Sequence, residues 1–453
     1  YWSYISQSAG LAGDGHINLA NGALTFNIST LTTTDSLMPF TASLIYNSPL
    51  GRFLFTRLNK DLPYSFATTA GGYKTNMNVC IVPRTRVNAE GVSETYYIYT
   101  DSDGTEHGFF KSTVSGENNI YYDDDGLKLK LTVNSGSYVI EDAAFNKYTF
   151  TKKDTNDSYS YPGGFLQSIE DVNGNLLSIV TNSYGRPTSI KMTPNGGTAI
   201  TQLEISYNSD GVIKYILNPT SQQAYLFYYS SSNTSSIVTT EYRYLRKIVL
   251  AHQTGSTSTS NWATFYNNGS CSTITVGAEC YYDYDSTGKM TSVRDTFHKT
   301  ELRYEYDGAG RVISVQEFAG ANSTAGQKVG LTYGVDFTKV RTSGKDDIYG
   351  NDDDIYTVYT FDNEGRCVST YSTDITGQEI YGATSGEYVS DNEKAKNSLK
   401  SVSTVSDIST NYLVNSNFEI NGESSLLFWS TSGNVSTIPL TFDHQGADAY
   451  NYN

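Results

Sequence analysis

Cysteine is scarce in this sequence, with four residues in a chain of 453. So low a count excludes a scaffold held together by disulfide bonds. Only Cys271 and Cys280 lie close together, and Ser, Thr and Gly flank them. We expect these two to close a hairpin through a disulfide bond if the protein is exported. We expect Cys80 and Cys367 to be unpaired or buried.

Basic residues are also few. Lys and Arg together number 31 against 47 Asp and Glu, which gives a formal net charge of −16. Because an acidic surface repels phosphate backbones, nucleic acid is excluded as an expected partner. A membrane-spanning helix needs a run of about 18 or more apolar residues, and the sequence has none, so it predicts no membrane span.

Aliphatic side chains and helical patterns are also scarce. Hydrophobic residues make up 38% of the chain, but aromatic residues supply 13%, so the predicted core is lean. Tyr occurs 38 times and Gly 39 times, whereas Pro occurs nine times. Aromatic and β-branched runs punctuated by Gly and Asn are typical of strands and hairpins. Apart from a short helical signal at 391–400, the composition predicts an all-β chain.

A unit of strand, turn and strand recurs along the chain. Residues 282–290 read YDYDSTGKM, and residues 304–312 repeat this as YEYDGAGRV. Whole or partial copies also occur at 169–180, 181–190, 206–216 and 359–370. Alternating residues predict strands, and an Asp or Asn followed by Gly predicts a tight turn.

These copies predict one continuous antiparallel sheet over residues 160–385 that curves around. Tyr rings that contact each other across strands would hold such a sheet where aliphatic residues are few. We expect strands at Tyr284, Tyr306 and Tyr359, and turns at Gly288, Gly310 and Gly365. The alternative fold is a row of small β-sandwiches with ordinary strand tyrosines.

The repeated motifs resemble the YD repeats of the Rhs and teneurin family. Residues 15–48 are similar to the segment that opens the shell in Rhs-type proteins, and 99–109, 121–131 and 141–150 are similar to the strands that follow it. The resemblance covers roughly residues 11–385. It implies an all-β fold in which an antiparallel YD-repeat strip curls into a hollow or partial shell. Such shells enclose a toxin or present an adhesive surface outside the cell.

We expect four regions along the chain. Residues 1–155 form an N-terminal β region that starts or plugs the shell, and 156–385 form the YD-repeat strip. Residues 386–410 read as a connector because Ser, Lys and Asn dominate them. Residues 411–453 resemble the opening of a carbohydrate-binding β-sandwich that is cut short. In that module Phe418 and Trp429 would contact a glycan.

An acidic loop is the candidate metal site. Five acids crowd around a Gly in this loop at a density that suits calcium: Asp346, Asp347, Asp352, Asp353 and Asp354. The loop lacks the EF-hand pattern, so a solvated acidic turn is the alternative. No other cofactor is expected. The five histidines stand in separate segments, and His107 is expected to be structural, so the sequence does not indicate catalysis.

The leading functional hypothesis is a secreted bacterial surface protein without enzymatic activity, acting as a scaffold, an adhesin or part of a shell that encloses or delivers a toxin. Its partner would be a cell-wall polysaccharide or another glycan, or a protein cargo of basic charge. The alternative is a glycan-binding component of an extracellular system that degrades carbohydrate. A glycosidase is the third hypothesis, but nothing selects two carboxylates among the acids.

Overall fold

The computed structural model describes residues 3–50, 72–77, 79–87, 91–152, 163–182, 186–208, 212–229, 244–255, 258–319, 324–377, 380–390 and 396–406. Within these ranges the chain forms a small N-terminal sheet and a much longer second sheet. Both are antiparallel, as the alternation of apolar and polar residues predicts.

The N-terminal sheet has five strands in sequence order: β1 (Tyr4–Ser8), β2 (Asp14–Asn18), β3 (Leu24–Thr32), β4 (Thr41–Asn47) and β5 (Tyr73–Thr75). Short 3-10 turns lie at Gly10–Ala12 and Ser48–Leu50. Its alternating residues make one apolar face, which includes the fully buried Phe26 and Leu44. The other face is polar and carries His16, Thr25 and Asn27.

The second sheet, called the strip below, runs from β6 to β29 with each strand hydrogen-bonded to the next. Its strands are β6 (Cys80–Val87), β7 (Ser93–Thr100), β8 (Glu106–Lys111), β9 (Ile120–Asp123), β10 (Lys130–Val133), β11 (Ser137–Glu141), β12 (Lys147–Lys152), β13 (Gly164–Glu170), β14 (Leu176–Thr181), β15 (Pro187–Thr193), β16 (Ile200–Tyr207), β17 (Ile213–Asn218), β18 (Gln223–Tyr229), β19 (Leu245–Gln253), β20 (Ile274–Tyr284), β21 (Met290–Asp295), β22 (Thr300–Tyr306), β23 (Val312–Ala319), β24 (Thr324–Tyr333), β25 (Phe337–Thr342), β26 (Ile355–Phe361), β27 (Cys367–Asp374), β28 (Ile380–Tyr388) and β29 (Leu399–Ser406).

The strip closes on itself. Strand β13 pairs with β12 and β14 and also with β6, where Gly164 lies opposite Ile81 and Phe165 opposite Cys80. Strands β6–β13 therefore form a ring, and β14–β29 continue from it. The predicted fold class, all-β with an antiparallel YD-repeat strip that curls into a hollow or partial shell, is confirmed, and the sheet closes on itself.

The far end of the strip returns to the ring at a seam, formed by Asp124–Gly126 and Lys396–Ser398. The Asn397 amide donates to the Asp124 carbonyl, and the Ser398 hydroxyl donates to the Gly126 carbonyl at 3.4 Å. A Cβ on Gly126 would lie 2.5 Å from the Asn397 carbonyl oxygen, so the two loops approach too closely for any side chain there. Turns about 270 residues apart in sequence thus meet through side chains, without a strand ladder.

The core lies between the apolar face of the N-terminal sheet and the strip. The Phe26 ring meets the Tyr282 ring edge-on at 6.4 Å, and the Tyr282 hydroxyl donates to the Ala12 carbonyl at 2.7 Å. The Thr338 hydroxyl donates to the Leu19 carbonyl at 2.5 Å. The N-terminal sheet is therefore packed against strands distant in sequence, with which it shares one hydrophobic core.

The strip extends across two of the expected regional boundaries. The expected boundary between 155 and 156 falls between two paired strands of one sheet. Strand β12 pairs with β13 from Lys147 opposite Glu170 to Lys152 opposite Gly164. The expected connector 386–410 contains β29, which pairs with β28 along its whole length, because small β-branched and Ser residues suit an edge strand. Residues 411–453 lie outside the described residues.

One helix, α1 (Thr259–Asn268), was not expected from the sequence. Its residues have weak helical periodicity, but Trp262 and Phe265 are buried against β18, β19 and β20 in a second hydrophobic cluster on the strip. Tertiary packing therefore stabilises the helix. The sequence has a helical signal at 391–400. The described part of this segment is a turn followed by the start of β29.

Candidate functional site

The repeated turn is built around one carboxylate. At Asp307 the Oδ1 atom accepts the N–H groups of Ala309 and Arg311, at 3.0 and 2.9 Å. Gly310 has a φ of 88°, a conformation that other residues rarely adopt. Asp142, Asp171, Asp285 and Asp362 hold their turns in the same way. The Asp of the motif thus satisfies backbone donors that the ladder leaves unpaired.

The Tyr of the motif completes the turn of the preceding hairpin. The Tyr306 hydroxyl, at the end of β22, donates to the carbonyl of Met290, the first residue of β21, at 2.7 Å. Tyr hydroxyls at the ends of four other strands bond to the first residue of the preceding strand at 2.5 to 2.9 Å, in the pairs Tyr207 with Pro187, Tyr229 with Ile213, Tyr333 with Val312 and Tyr388 with Cys367.

The cation after the turn glycine packs on the same ring. Lys289 lies 5.5 Å from the Tyr306 ring centre, Arg311 lies 4.7 Å from Tyr333, and Arg366 lies 5.0 Å from Tyr388. Each such contact contributes about 0.5–1 kcal/mol at exposed sites. Burial raises the pKa of Tyr306 well above its usual value, so its hydroxyl stays a donor. The sequence predicted stacked Tyr rings but not these acceptors, because the acceptors depend on strand register.

His107 lies in a buried ion cluster. Its Nε2 is 3.1 Å from an Asp101 carboxylate oxygen, and its Nδ1 bonds to the Asp125 carboxylate. Burial favours the neutral imidazole, but the hydrogen bonds with the two carboxylates raise the pKa of His107 to about 10. The buried Lys74 of β5 donates to the Asp101 carbonyl, and burial lowers the pKa of Lys74 to about 8. The cluster ties the N-terminal sheet to the ring.

A cavity of about 340 Å³ separates the polar face of the N-terminal sheet from the turn between β7 and β8. His16, Thr25 and Asn27 line it from β2 and β3, and Asp103 lines it from the turn. Lys74 lies in the same sheet and bonds to that turn, so the two walls are held together. Sequence patterns do not indicate this site, because its walls come from segments about 80 residues apart.

The predicted calcium ligands lie in the loop between β25 and β26. Asp353 Oδ2 accepts the N–H groups of Lys345 and Asp346, at 2.8 and 3.3 Å. The buried Asp354 forms an ion pair with Arg341 at 2.5 Å and accepts the Gly350 N–H at 2.8 Å. These carboxylates therefore hold the loop itself.

The rest of this loop does not converge on one point. Asp346 accepts from Ile348 and Asn351, Asp347 has a φ of 60°, and Asp352 is exposed. Nowhere in the described residues do three His, Cys, Asp or Glu side chains form a group suited to a metal. Asp354 Oδ1 is buried without a partner among the described atoms. Calcium binding stays a prediction, which a thermal-shift titration with CaCl₂ would check. The predicted glycan contacts Phe418 and Trp429 lie outside the described residues.

The predicted disulfide is wrong. Cys280 lies inside β20, and Cys271 precedes the same strand. An extended strand rises about 3.3 Å per residue, so the two lie far beyond the roughly 7 Å between Cα atoms that a disulfide spans. Both are free thiols. Neither Cys80, which is buried, nor Cys367, which is half-buried, forms a disulfide, as expected.

Among the described residues, no helix has the length and apolar character needed to cross a membrane.

One family model matches the part of the strip that contains the repeated turns described above. The family model described as RHS repeat matches residues 284–321, which contain the whole of β21, β22 and β23. No curated protein matches the chain significantly. The chain thus carries the repeat that its YD motifs resemble.

Three solved structures resemble the chain at low identity. A TcdB2-TccC3-TEV crystal structure is 11% identical with a TM-score of 0.34, covering 86% of this chain and 20% of that chain. The Tc holotoxin pore of Photorhabdus luminescens is 12% identical with a TM-score of 0.33, covering 84% and 22%. The N-terminal domain of effector protein SpvB from Salmonella typhimurium strain LT2 is 12% identical with a TM-score of 0.18, covering 84% and 99%. The chain therefore spans about a fifth of the length of the Tc proteins, and with scores this low these likenesses are resemblances alone.

Proposed function

We propose that the chain forms part of the wall of a closed β shell that encloses a polypeptide. The observation that carries this proposal is the closure of the strip, through the ladder between β6 and β13 and through the seam. A sheet held by Tyr hydroxyls and cation contacts at its turns keeps its curvature without a thick aliphatic core. A wall of this kind separates its contents from proteases.

The enclosed polypeptide would be basic. The formal net charge of −16 favours cationic partners and disfavours nucleic acid. Attraction of this kind weakens with salt, whereas physical enclosure does not. Salt therefore distinguishes a surface-bound partner from an enclosed one.

Co-expression with an unfolded basic reporter tests enclosure. We expect a lysine-rich reporter made together with the chain to stay associated in high salt and to resist trypsin. The control adds the same reporter to the purified, folded chain, where it should remain sensitive to trypsin. Equal sensitivity in the two arms contradicts the proposal.

We propose that the protein works outside the cell, as a surface scaffold or adhesin without enzymatic activity. The resemblance of its repeats to Rhs-type proteins supports this location, and the isolation of His107 in an ion cluster supports a structural use of that residue. Fractionation of the source cells tests the location. Recovery of the protein solely from the cytoplasm would contradict it.

The second candidate function is a glycan-binding component. The observation that favours it is the polar cavity beside the N-terminal sheet. Binding of the full chain to immobilised polysaccharides tests it, and DNA serves as the negative control because of the acidic charge.

A further inference from the structure

The polar face of the N-terminal sheet is partly covered, since Lys74 on this face is buried whereas Tyr4 and Ser6 are exposed. On β3, Phe26 points into the core, while its neighbours Thr25 and Asn27 point the other way. The turn after β7 lies above this face and is anchored by Lys74. Covering polar groups costs free energy unless each finds a partner.

One partner is missing on this face. The Asn27 Oδ1 atom is buried and has no hydrogen-bond partner among the described atoms. Asn47, on the same face two strand positions beyond Ile45, also has an unpartnered buried Oδ1. An amide oxygen accepts hydrogen bonds, so each of these atoms can accept a donor from a ligand. Buried polar atoms without partners need such an explanation.

The other lining groups indicate the chemistry of those donors. Of the nine residues that line the cavity, Ile45 is the one aliphatic side chain. Thr25 and Ser43 carry hydroxyls, Asp103 carries a carboxylate, and Tyr4 offers a ring that is 40% exposed. One carboxylate does not suit a metal cation, and it disfavours an anion. A neutral ligand with several hydroxyl donors fits these acceptors and also fits the cavity volume.

We propose that this cavity binds a carbohydrate, whose hydroxyl groups donate to Asn27 Oδ1 and to the Asp103 carboxylate while its ring lies against Tyr4. The inference rests on the second candidate function and deepens it by naming the site. It does not depend on enclosure of a polypeptide. The ligand is a saccharide end of one or two rings, because the cavity is at the lower limit of ligand sites, roughly 300 Å³.

The test titrates the full chain with glucose, galactose, mannose, N-acetylglucosamine and their disaccharides, using saturation-transfer NMR and calorimetry. The Asn27→Leu variant removes the unpartnered acceptor and fills the space. We expect its affinity for the bound sugar to fall at least about tenfold, while its melting temperature stays equal or rises, because a buried unsatisfied oxygen is lost.

Thr25→Val is the conservative variant, since it removes one hydroxyl at constant shape and should weaken binding without unfolding the sheet. Thr32→Val is its matched control, because Thr32 lies on the same strand but bonds to Thr41 away from the cavity. It should bind like the unaltered chain. If the chain binds sugar but both cavity variants bind it unchanged, the site is wrong while the glycan function stands. If no probe binds the unaltered chain, both are wrong and the cavity holds water alone.

Discussion

At the scale of single residues, four residues of the YD motif each have a separate structural role. The Asp closes the turn, the Gly adopts the positive φ, the cation covers a ring, and the Tyr donates to a carbonyl of the preceding strand. That carbonyl lies beside an irregularity in the ladder; Met290, for example, pairs with Tyr284 next to the register shift between Asp283 and Tyr284. The Tyr hydroxyl thus replaces a ladder bond.

Removing one hydroxyl tests this role. Tyr306→Phe leaves the Met290 carbonyl without its donor, so we expect the free energy of unfolding to fall by about 1–2 kcal/mol. Tyr96→Phe is the control, because the Tyr96 ring stacks on Phe110 on the strip and should keep that contact. Thermal denaturation of both variants measures the difference. Equal melting temperatures would show that the hydroxyl does not stabilise the turn.

Two glycines of one turn give a second test. Gly310 has a φ of 88°, whereas a Cβ on Gly308 would meet open space. We expect Gly310→Ala to lower the free energy of unfolding by about 1 kcal/mol and Gly308→Ala to leave it equal or slightly higher. Urea denaturation compares the two variants directly. A Gly310→Ala chain as stable as its Gly308→Ala counterpart would exclude strain at this position.

At the scale of elements, local rules located the strands and distant contacts decided the rest. Tyr284, Tyr306 and Tyr359 lie in strands and Gly288, Gly310 and Gly365 lie in turns, as predicted, because alternation and turn chemistry act over a few residues. Helix α1 and the partners of His107 were not predictable. The helix depends on burial of Trp262, and Asp125 reaches His107 from 18 residues away through strand pairing.

The His107 cluster, which joins β5, β8 and the turn before β10, makes stability depend on pH. The pKa of His107 is raised from 6.5 to about 10, so its contribution is complete below pH 6.5 and is lost as pH rises towards 10. Lys74 acts in the opposite direction, but only above its pKa of about 8. Between pH 6.5 and 8 we therefore expect stability to fall with rising pH.

His107→Gln should reduce that slope, measured as melting temperature across pH 6.5 to 8. His252→Gln is the control, because His252 is an exposed residue of β19. A slope that persists unchanged in His107→Gln would assign the pH dependence to other groups.

At the scale of the whole molecule, two kinds of contact of unequal strength close the sheet. Ladders join successive strands of the strip, but the seam depends on side chains. Asn397 is buried, donates to the Asp124 carbonyl and accepts from Arg366. The nearby pair between Lys396 and Asp124 is half-exposed and contributes only about 0.2–1 kcal/mol. Asn397 therefore makes the main stabilising contacts of the seam.

Asn397→Gly keeps the positive φ of 60° at this position and removes both hydrogen bonds. We expect faster hydrogen exchange in β28 and β29, equivalent to about 1–3 kcal/mol, and unchanged exchange in the N-terminal sheet. Lys400→Met, which removes the surface ion pair between Lys400 of β29 and Glu387 of β28, should leave exchange unchanged. A uniform loss of protection against hydrogen exchange throughout the chain would contradict a local stabilising role for the seam.

The Tyr contacts between turns also fix an order of events during synthesis. In all five pairs the donor lies 16 to 21 residues after its acceptor in the chain. When a turn leaves the ribosome, its carbonyl therefore lacks the Tyr hydrogen bond until the next strands emerge. Because the N-terminal sheet is synthesised before the strip, the strands of the strip reach it in their order of synthesis. Vectorial translation thus sets the direction of winding, and the most recent turn is always the incomplete one.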